Sequence, residues 1–176
     1  MNPAYSAYNL LGRLLYLGLL PTLRIHAYVC GRPNETMNQR LGSYPPDLIS
    51  QQSGSPRIWL HAASVGEIGV AESIVASLTR LKPDCALIVS TATEHGYTYA
   101  LERLAPRVTC IYAPVDFPQA VDKALKTFRP DLFACLETEI WPNLLITAKT
   151  IGIKTAIING RISVRSIKGY LKIRPL

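Results

Sequence analysis

The chain has 176 residues, of which 48% are hydrophobic and 18% charged, with a mean hydropathy of +0.15. That length buries a core without a disulfide scaffold, and the composition excludes a disordered chain and collagen-like or heptad-repeat fibres. The formal net charge of +7 is local: seven basic residues and no acid lie from Lys149 to Leu176, whereas the rest is balanced, so either an anionic partner meets one place or the tail is simply solvated.

In chain order, the first element holds an apolar stretch, Leu10–Leu23, broken by Arg13, Gly18 and Pro21. It is shorter than the ~20 apolar residues a bilayer span needs, and no small-residue cleavage site follows it. The reading favoured is a helix lying in a membrane interface, with Tyr5, Tyr8 and Tyr16 at headgroup level and Arg13 and Arg24 on lipid phosphates. A short spanning anchor and a helix packed on the domain remain open. Residues 31–56 carry Pro33, Pro45, Pro46, Gly54 and Pro56 among polar residues, which predicts a connector with a short helix over Glu35–Leu41.

From Arg57 onward, strands and helices alternate. Ile58–His61, Ala86–Ser90, Val108–Tyr112, Leu132–Leu136 and Thr155–Ile158 are short apolar runs, predicted as strands. Between them, Glu67–Leu81, Glu94–Leu104, Pro118–Phe128 and Pro142–Thr150 read as helices, the first with Val70, Ile74, Leu78 and Leu81 on one face. Continuous apolar strands separated by helices predict an α/β fold, a Rossmann-like parallel sheet with helices on both faces. The expected organisation is an anchor helix over 1–30, a connector over 31–56 and the α/β domain over 57–176. Such sheets bind ligands at the carboxyl ends of their strands. The polar clusters sit there: Ala63–Glu67, Thr91–Gly96, Pro114 with Asp116, Glu137–Asn143 and Asn159–Ser163.

Within these clusters, Glu67 follows Gly66 at a helix start. One reading is a carboxylate complementing the helix dipole; the other is a general base at the cleft, with the glycine admitting substrate closely. Glu137 and Glu139 flank Thr138 after a buried strand, so alternation points them to opposite sides, one to the cleft and one to a cap or a basic residue. Trp141 reads as core, and His61, continuing an apolar strand, as a satisfied core histidine. His95, in a Thr/Gly-rich loop that opens a helix behind Thr93, sits where backbone N–H groups can hold an anion. The four cysteines, Cys30, Cys85, Cys110 and Cys135, form no C-x-x-C pair and no zinc spacing. Three lie in strand-like runs, so reduced buried thiols are expected, as on the cytosolic side of a membrane. No dinucleotide, Walker or nucleophile-elbow motif is present.

Five runs together carry a resemblance. "IWLHAASVGE" (Ile58–Glu67), "STATEHGY" (Ser90–Tyr97), "YAPVDFP" (Tyr112–Pro118), "ETEIWPNLL" (Glu137–Leu145) and "NGRISVRSIKGY" (Asn159–Tyr170) resemble, in order and spacing, the N-terminal half of 3-deoxy-D-manno-octulosonic acid (Kdo) transferases. The opening "YNLLGRLLYLGLLP" and "RLGSYPP" are similar to that family's membrane-proximal start. The resemblance implies the acceptor-side half of a two-domain GT-B glycosyltransferase at the cytoplasmic face of the bacterial inner membrane. It implies CMP-Kdo as donor, bound by a C-terminal domain beyond this chain, and the lipid A precursor as acceptor in lipopolysaccharide core synthesis. An anionic membrane surface is a further partner; neither a metal, a cofactor nor nucleic acid is expected. By resemblance, Glu67 is the proton acceptor and Glu137 the transition-state stabiliser. The substrate-binding candidates are Ser64, Gly66, Thr93, His95, Arg161, Ser163 and Arg165, with Lys168 beside them. Gly160 and Ile162 stand where the family usually has Ala and Leu. The alternative is a truncated, non-catalytic lipid A-binding module.

Overall fold

The computed structural model describes residues 3–30, 34–51 and 53–160. Five apolar runs form one parallel sheet in the order β3-β2-β1-β4-β5: β1 Arg57–His61, β2 Ala86–Thr91, β3 Thr109–Tyr112, β4 Leu132–Leu136 and β5 Lys154–Ile158. Trp59 lies opposite Ile88 on one side and Phe133 on the other, so β1 is central. The crossovers run through α4 Val65–Leu81, α5 Glu94–Leu104, α6 Pro118–Phe128 and α7 Pro142–Thr150. These elements fall within one or two residues of the expected spans.

Alternation along each strand sorts side chains to two cores. On one face Ile58, Leu60, Leu87, Val89, Ala134 and Leu136 pack under Ile68, Ala71 and Val75 of α4 and Ala100 and Leu104 of α5. On the other, Trp59, Ile88, Ile111, Phe133 and Cys135 pack under α6 and α7, where Phe128 meets Trp59 edge to face with centroids 5.6 Å apart. Cys85, Cys110 and Cys135 are free thiols, the latter two buried. Burial raises the pKa of Cys110 and of Cys135 to about 12.

The segment before the sheet is more ordered than its composition suggested. The expected short helix is α2 Glu35–Arg40, and a second, α3 Pro46–Ser50, starts on Pro46, whose missing N–H costs nothing in a first turn. The first helix, α1 Pro3–Cys30, fills the expected 1–30 span and continues through Pro21. The proline takes the usual partner from the Leu17 carbonyl, on a residue that is itself exposed. Among the described residues no helix is long and apolar enough to cross a membrane.

The α1 tyrosines depart from the expectation. Tyr16 is buried with Leu41 and Ala120, its hydroxyl accepting from Lys123 Nζ at 2.7 Å. Tyr5 donates to Asn143 Oδ1 at 3.0 Å and Tyr8 to Asp116 Oδ2 at 2.9 Å. All three face the domain, because a hydroxyl with a buried acceptor in reach pairs there. Gly12 permits this docking; a Cβ there would meet Pro118 Cδ at 3.2 Å. The opposite face bears Leu10, Leu14 and Leu17, Leu11 and Leu15 flank the docked face, all five are 48–60% exposed, and Arg13 is exposed as well.

Candidate functional site

The strand order reverses direction between β1 and β4: β2 and β3 extend to one side, β5 to the other. In a doubly wound sheet that crevice, at the carboxyl ends, is where ligands bind. The loop after β1 leads into α4, whose first turn carries Glu67, and the loop after β4 carries Glu137 and Glu139, so the three carboxylates flank the switch point.

Glu67 is placed by its own helix. Ser64 is the N-cap of α4, and Ser64-Val65-Gly66-Glu67 has capping-box spacing. The bonds differ from a standard box: Ser64 Oγ donates to Glu67 Oε1 at 2.9 Å, and the Ala63 N–H donates to Oε2 at 2.7 Å. Both readings of Glu67 therefore meet in one geometry, a carboxylate at a helix N-terminus with two of its roughly four acceptor positions used. The side chain is 7% exposed, more enclosed than a residue at an open mouth. It is nevertheless within electrostatic reach of its partner acids. Desolvation raises its pKa, the Ala63 and Ser64 bonds oppose the rise, and the charges of Glu139 and Glu137 add to it. Gly66 is exposed, and a Cβ there would touch nothing nearer than Ser64 Oγ at 3.9 Å.

The two acids after β4 do not alternate, because the strand ends at Leu136 and Glu137 takes a left-handed backbone with φ 63°. That conformation costs a non-glycine residue ~1–2 kcal/mol. It is held by the Glu137 N–H donating to the Ile158 carbonyl at 2.8 Å. Glu137 is exposed. Among the described residues Glu139 makes no ion pair; its Oε2 accepts from Trp141 Nε1 at 2.9 Å. Trp141 thus positions an acid rather than simply filling core. Behind it stands His61, 2% exposed, with centroids 6.1 Å apart. His61 Nδ1 pairs with Ser90 Oγ at 2.9 Å, which also accepts from Trp59 Nε1. Burial lowers the His61 pKa to about 4, so the ring is neutral at physiological pH. Among the described residues its Nε2 has no hydrogen-bond partner, so there His61 is a core histidine that is only half satisfied.

A residue underrated in the sequence holds this loop. Asp116, 6% exposed, accepts from the Asn143 and Leu144 N–H groups at 2.9 Å each and from Tyr8, capping α7 from outside its own segment. The motif spacing put Asp116 on the rim, but its partners lie 27, 28 and 108 residues away, beyond any local signal. Beside it a pocket of about 260 Å³ is lined by Leu11, Gly12 and Leu15 of α1 together with Phe117 and Trp141. A larger cavity of about 770 Å³ lies at the amino ends of β1, β4 and β5, around Asp131 and Arg129, on the side where these sheets do not bind ligands.

Thr93 caps α5, accepting from the Gly96 N–H at 3.0 Å, and His95 is exposed in that first turn. Arg161, Ser163, Arg165 and Lys168 lie outside the described residues, as does the side chain of Arg24. Among the described residues no cluster of His, Cys, Asp and Glu is arranged to hold a metal.

The pKa balance at Glu67 gives a first prediction. Carboxyl NMR titration of the chain should place Glu67 above the ordinary glutamate range. Glu139→Gln removes the larger of two repulsive charges and should move that titration to lower pH. An unchanged Glu67 titration in this variant would show that Glu139 does not face it.

The profile of the family described as 3-deoxy-D-manno-octulosonic-acid transferase (kdotransferase) matches residues 35–176. A bifunctional glycosyltransferase/methyltransferase of Fusobacterium nucleatum is 30% identical over 140 residues, covering 78% of this chain and 21% of the relative. The 3-deoxy-D-manno-octulosonic acid transferase of Chlamydia pneumoniae is 30% identical over 158 residues, 89% of this chain and 36% of its own length. That of Haemophilus influenzae is 33% identical over 143 residues, 81% of this chain and 33% of its own length. The chain thus spans about a fifth to a third of these relatives.

Proposed function

The chain belongs to the 3-deoxy-D-manno-octulosonic acid (Kdo) transferase family, and from that premise we propose that it is the acceptor-binding, base-carrying half of a transferase moving Kdo from CMP-Kdo to the lipid A precursor. The observation that carries the reading is the placement of Glu67 and the Glu137–Glu139 pair on either side of the β1/β4 switch point.

On this reading Glu67 accepts the proton of an acceptor hydroxyl as that oxygen bonds to the anomeric carbon of Kdo. The bond from that carbon to the CMP phosphate oxygen breaks, and CMP leaves with the electron pair as a stable anion, so no general acid is required. Positive charge develops at the anomeric centre, where the Glu137 carboxylate stabilises it. The raised pKa of Glu67 suits a base, since a stronger carboxylate base takes a hydroxyl proton more readily. Ser64 and the Ala63 N–H fix its orientation, and Gly66 leaves space above it. Trp141 and Asp116 hold the opposing loop.

The acceptor is a lipid, and the exposed leucines of α1 suit a helix resting on a bilayer, beside the pocket between α1 and Trp141. The site then works at the cytoplasmic face of the bacterial inner membrane. Arg161 and Arg165 are proposed to meet the acceptor or the anionic surface.

The test has two arms. The chain alone should bind liposomes containing the lipid A precursor more tightly than liposomes without it. Joined to the remaining C-terminal length of the Haemophilus influenzae relative, it should transfer Kdo from CMP-Kdo. Failure to bind the acceptor would overturn the reading, and binding without transfer by a folded chimera would leave only a lipid A-binding module.

A further inference from the structure

We infer that Arg40 anchors a phosphate-monoester subsite on the β2 side of the rim, which sets the register of a phosphorylated saccharide over Glu67. The inference rests on the reading of the acceptor as an anionic sugar, but no residue so far assigned to that acceptor is Arg40.

The side chain is presented by the last residue of α2, the short helix expected within the connector. Its neighbour Gln39 is buried and accepts from the Tyr112 N–H at 2.9 Å, tying α2 to the outer edge of β3. The Arg40 carbonyl accepts from the Val115 N–H at 2.8 Å. The guanidinium lies over the Tyr112 ring, 5.1 Å from its centroid, and that ring stacks on Tyr97 at 4.2 Å. One nitrogen, Nη2, donates to the Ala92 carbonyl at 2.6 Å.

This cation is half-buried and has no carboxylate partner among the described residues. The ion pairs among the described residues are Arg103 with Glu72 and Lys126 with Asp122, and every Asp and Glu of the chain is described. A guanidinium carries five N–H donors in a planar fork suited to phosphate, and here one is used by the protein. Stacking on Tyr112 fixes the plane of that fork and lowers the entropy lost on binding.

Its location supplies the register. Ala92 accepts from Arg40 and donates its own N–H to the Ala63 carbonyl at 3.4 Å, and the Ala63 N–H donates to Glu67 Oε2. Two residues thus separate the cation from the base. Glu137 and Glu139 lie on the other side of Glu67, after β4. A phosphate is attracted to the β2 side and repelled from the β4 side. The sugar to which it is bonded then spans the intervening gap, with a hydroxyl over Glu67.

The experiment titrates the 176-residue chain with glucosamine 1-phosphate, glucosamine and inorganic phosphate, following the Ala92 and Ala63 amides by heteronuclear NMR. The sugar phosphate should bind best, and Arg40→Gln should weaken it at least about tenfold, the scale of a lost charged hydrogen bond. Arg40→Lys, which keeps charge without the fork, should fall between. Glucosamine affinity should be unchanged in both variants. Equal loss for both sugars would show that Arg40 only braces the β2–α5 loop. An unaltered sugar-phosphate affinity in Arg40→Gln would overturn the subsite, and equal affinity for inorganic phosphate would overturn the saccharide assignment. Should Arg40→Gln not fold, the Arg40→Lys titration alone decides. No donor is present in this assay, so its failure leaves the proposed Kdo transfer standing, and failed transfer leaves the subsite standing.

Discussion

Glu67→Gln should reduce Kdo transfer by about 10²–10⁴-fold in the complete enzyme, the contribution of a positioned general base. The substitution keeps shape and removes basicity. The fold should survive it, because the local bonds can be re-made. The Ala63 N–H, now 2.7 Å from a carboxylate oxygen, can donate to the amide oxygen, and the amide nitrogen can donate to Ser64 Oγ, which reverses from donor to acceptor. The sign of the pKa shift supports a stable variant. Glu67 has a folded pKa raised above its unfolded value. The native state therefore holds the proton more tightly, and this group's contribution falls as pH rises from the ordinary carboxylate range through the raised value. An uncharged side chain avoids that loss at neutral pH. Thermal melting of Glu67→Gln should thus match or exceed that of the parent at pH 7, and acceptor-liposome binding should be retained. Transfer within a few-fold of the parent would remove Glu67 from the mechanism.

Asp116→Ala should cost on the order of 3 kcal/mol of stability, which for a chain of this size lowers Tm by roughly 6–12 °C. The substitution strands several donors at once: the Asn143 and Leu144 N–H groups at the start of α7 and the Tyr8 hydroxyl. Each buried group left unpaired costs about 1–3 kcal/mol. The Asn143 side chain loses less, because its Nδ2 donates to the Asp116 main-chain carbonyl. Tyr8→Phe removes only one donor and one bond, and should cost less, about 1 kcal/mol. The distinguishing result is where the damage goes. Asp116 joins α1, the β3–α6 loop and α7, so its loss should release the first helix and raise amide exchange in the 137–145 segment before the sheet itself opens. Urea unfolding with hydrogen exchange measures both. A Tm within 1–2 °C of the parent would mean that the carboxylate is not the hinge of this contact.

Four of the five strands were readable because each is buried on both faces; β5, at the sheet edge, is largely exposed and shows only its apolar run. A strand covered on two sides is a short continuous apolar run, and Leu132–Leu136 or Ala86–Ser90 can hardly be anything else between Pro- and Gly-rich breaks. Helix starts were readable where local chemistry marks them: Thr93 accepting from Gly96, Pro118 and Pro142 in first turns, Ser64 three residues before Glu67. In the connector the short helix α2 was legible, whereas α3 is too short to show a period and the docking of α2 depends on long-range bonds such as Gln39 to Tyr112. The α1 tyrosines were assigned to a bilayer because nothing local reveals Asp116 and Asn143 as their acceptors.

What the sequence by itself determined is the alternating βα framework and the rim on which Ser64, Glu67, Thr93, Asp116 and Glu137 fall, because burial period and turn chemistry act over a few residues. The tertiary structure alone decided which of these side chains face one another. It brought Glu139 to Trp141, Glu67 within electrostatic reach of both later acids, Asp116 under α7 and Arg40 beside Ala92. Those pairings join residues up to 72 positions apart, and only the crossing of strands in a twisted sheet brings such positions within hydrogen-bonding or Coulombic distance.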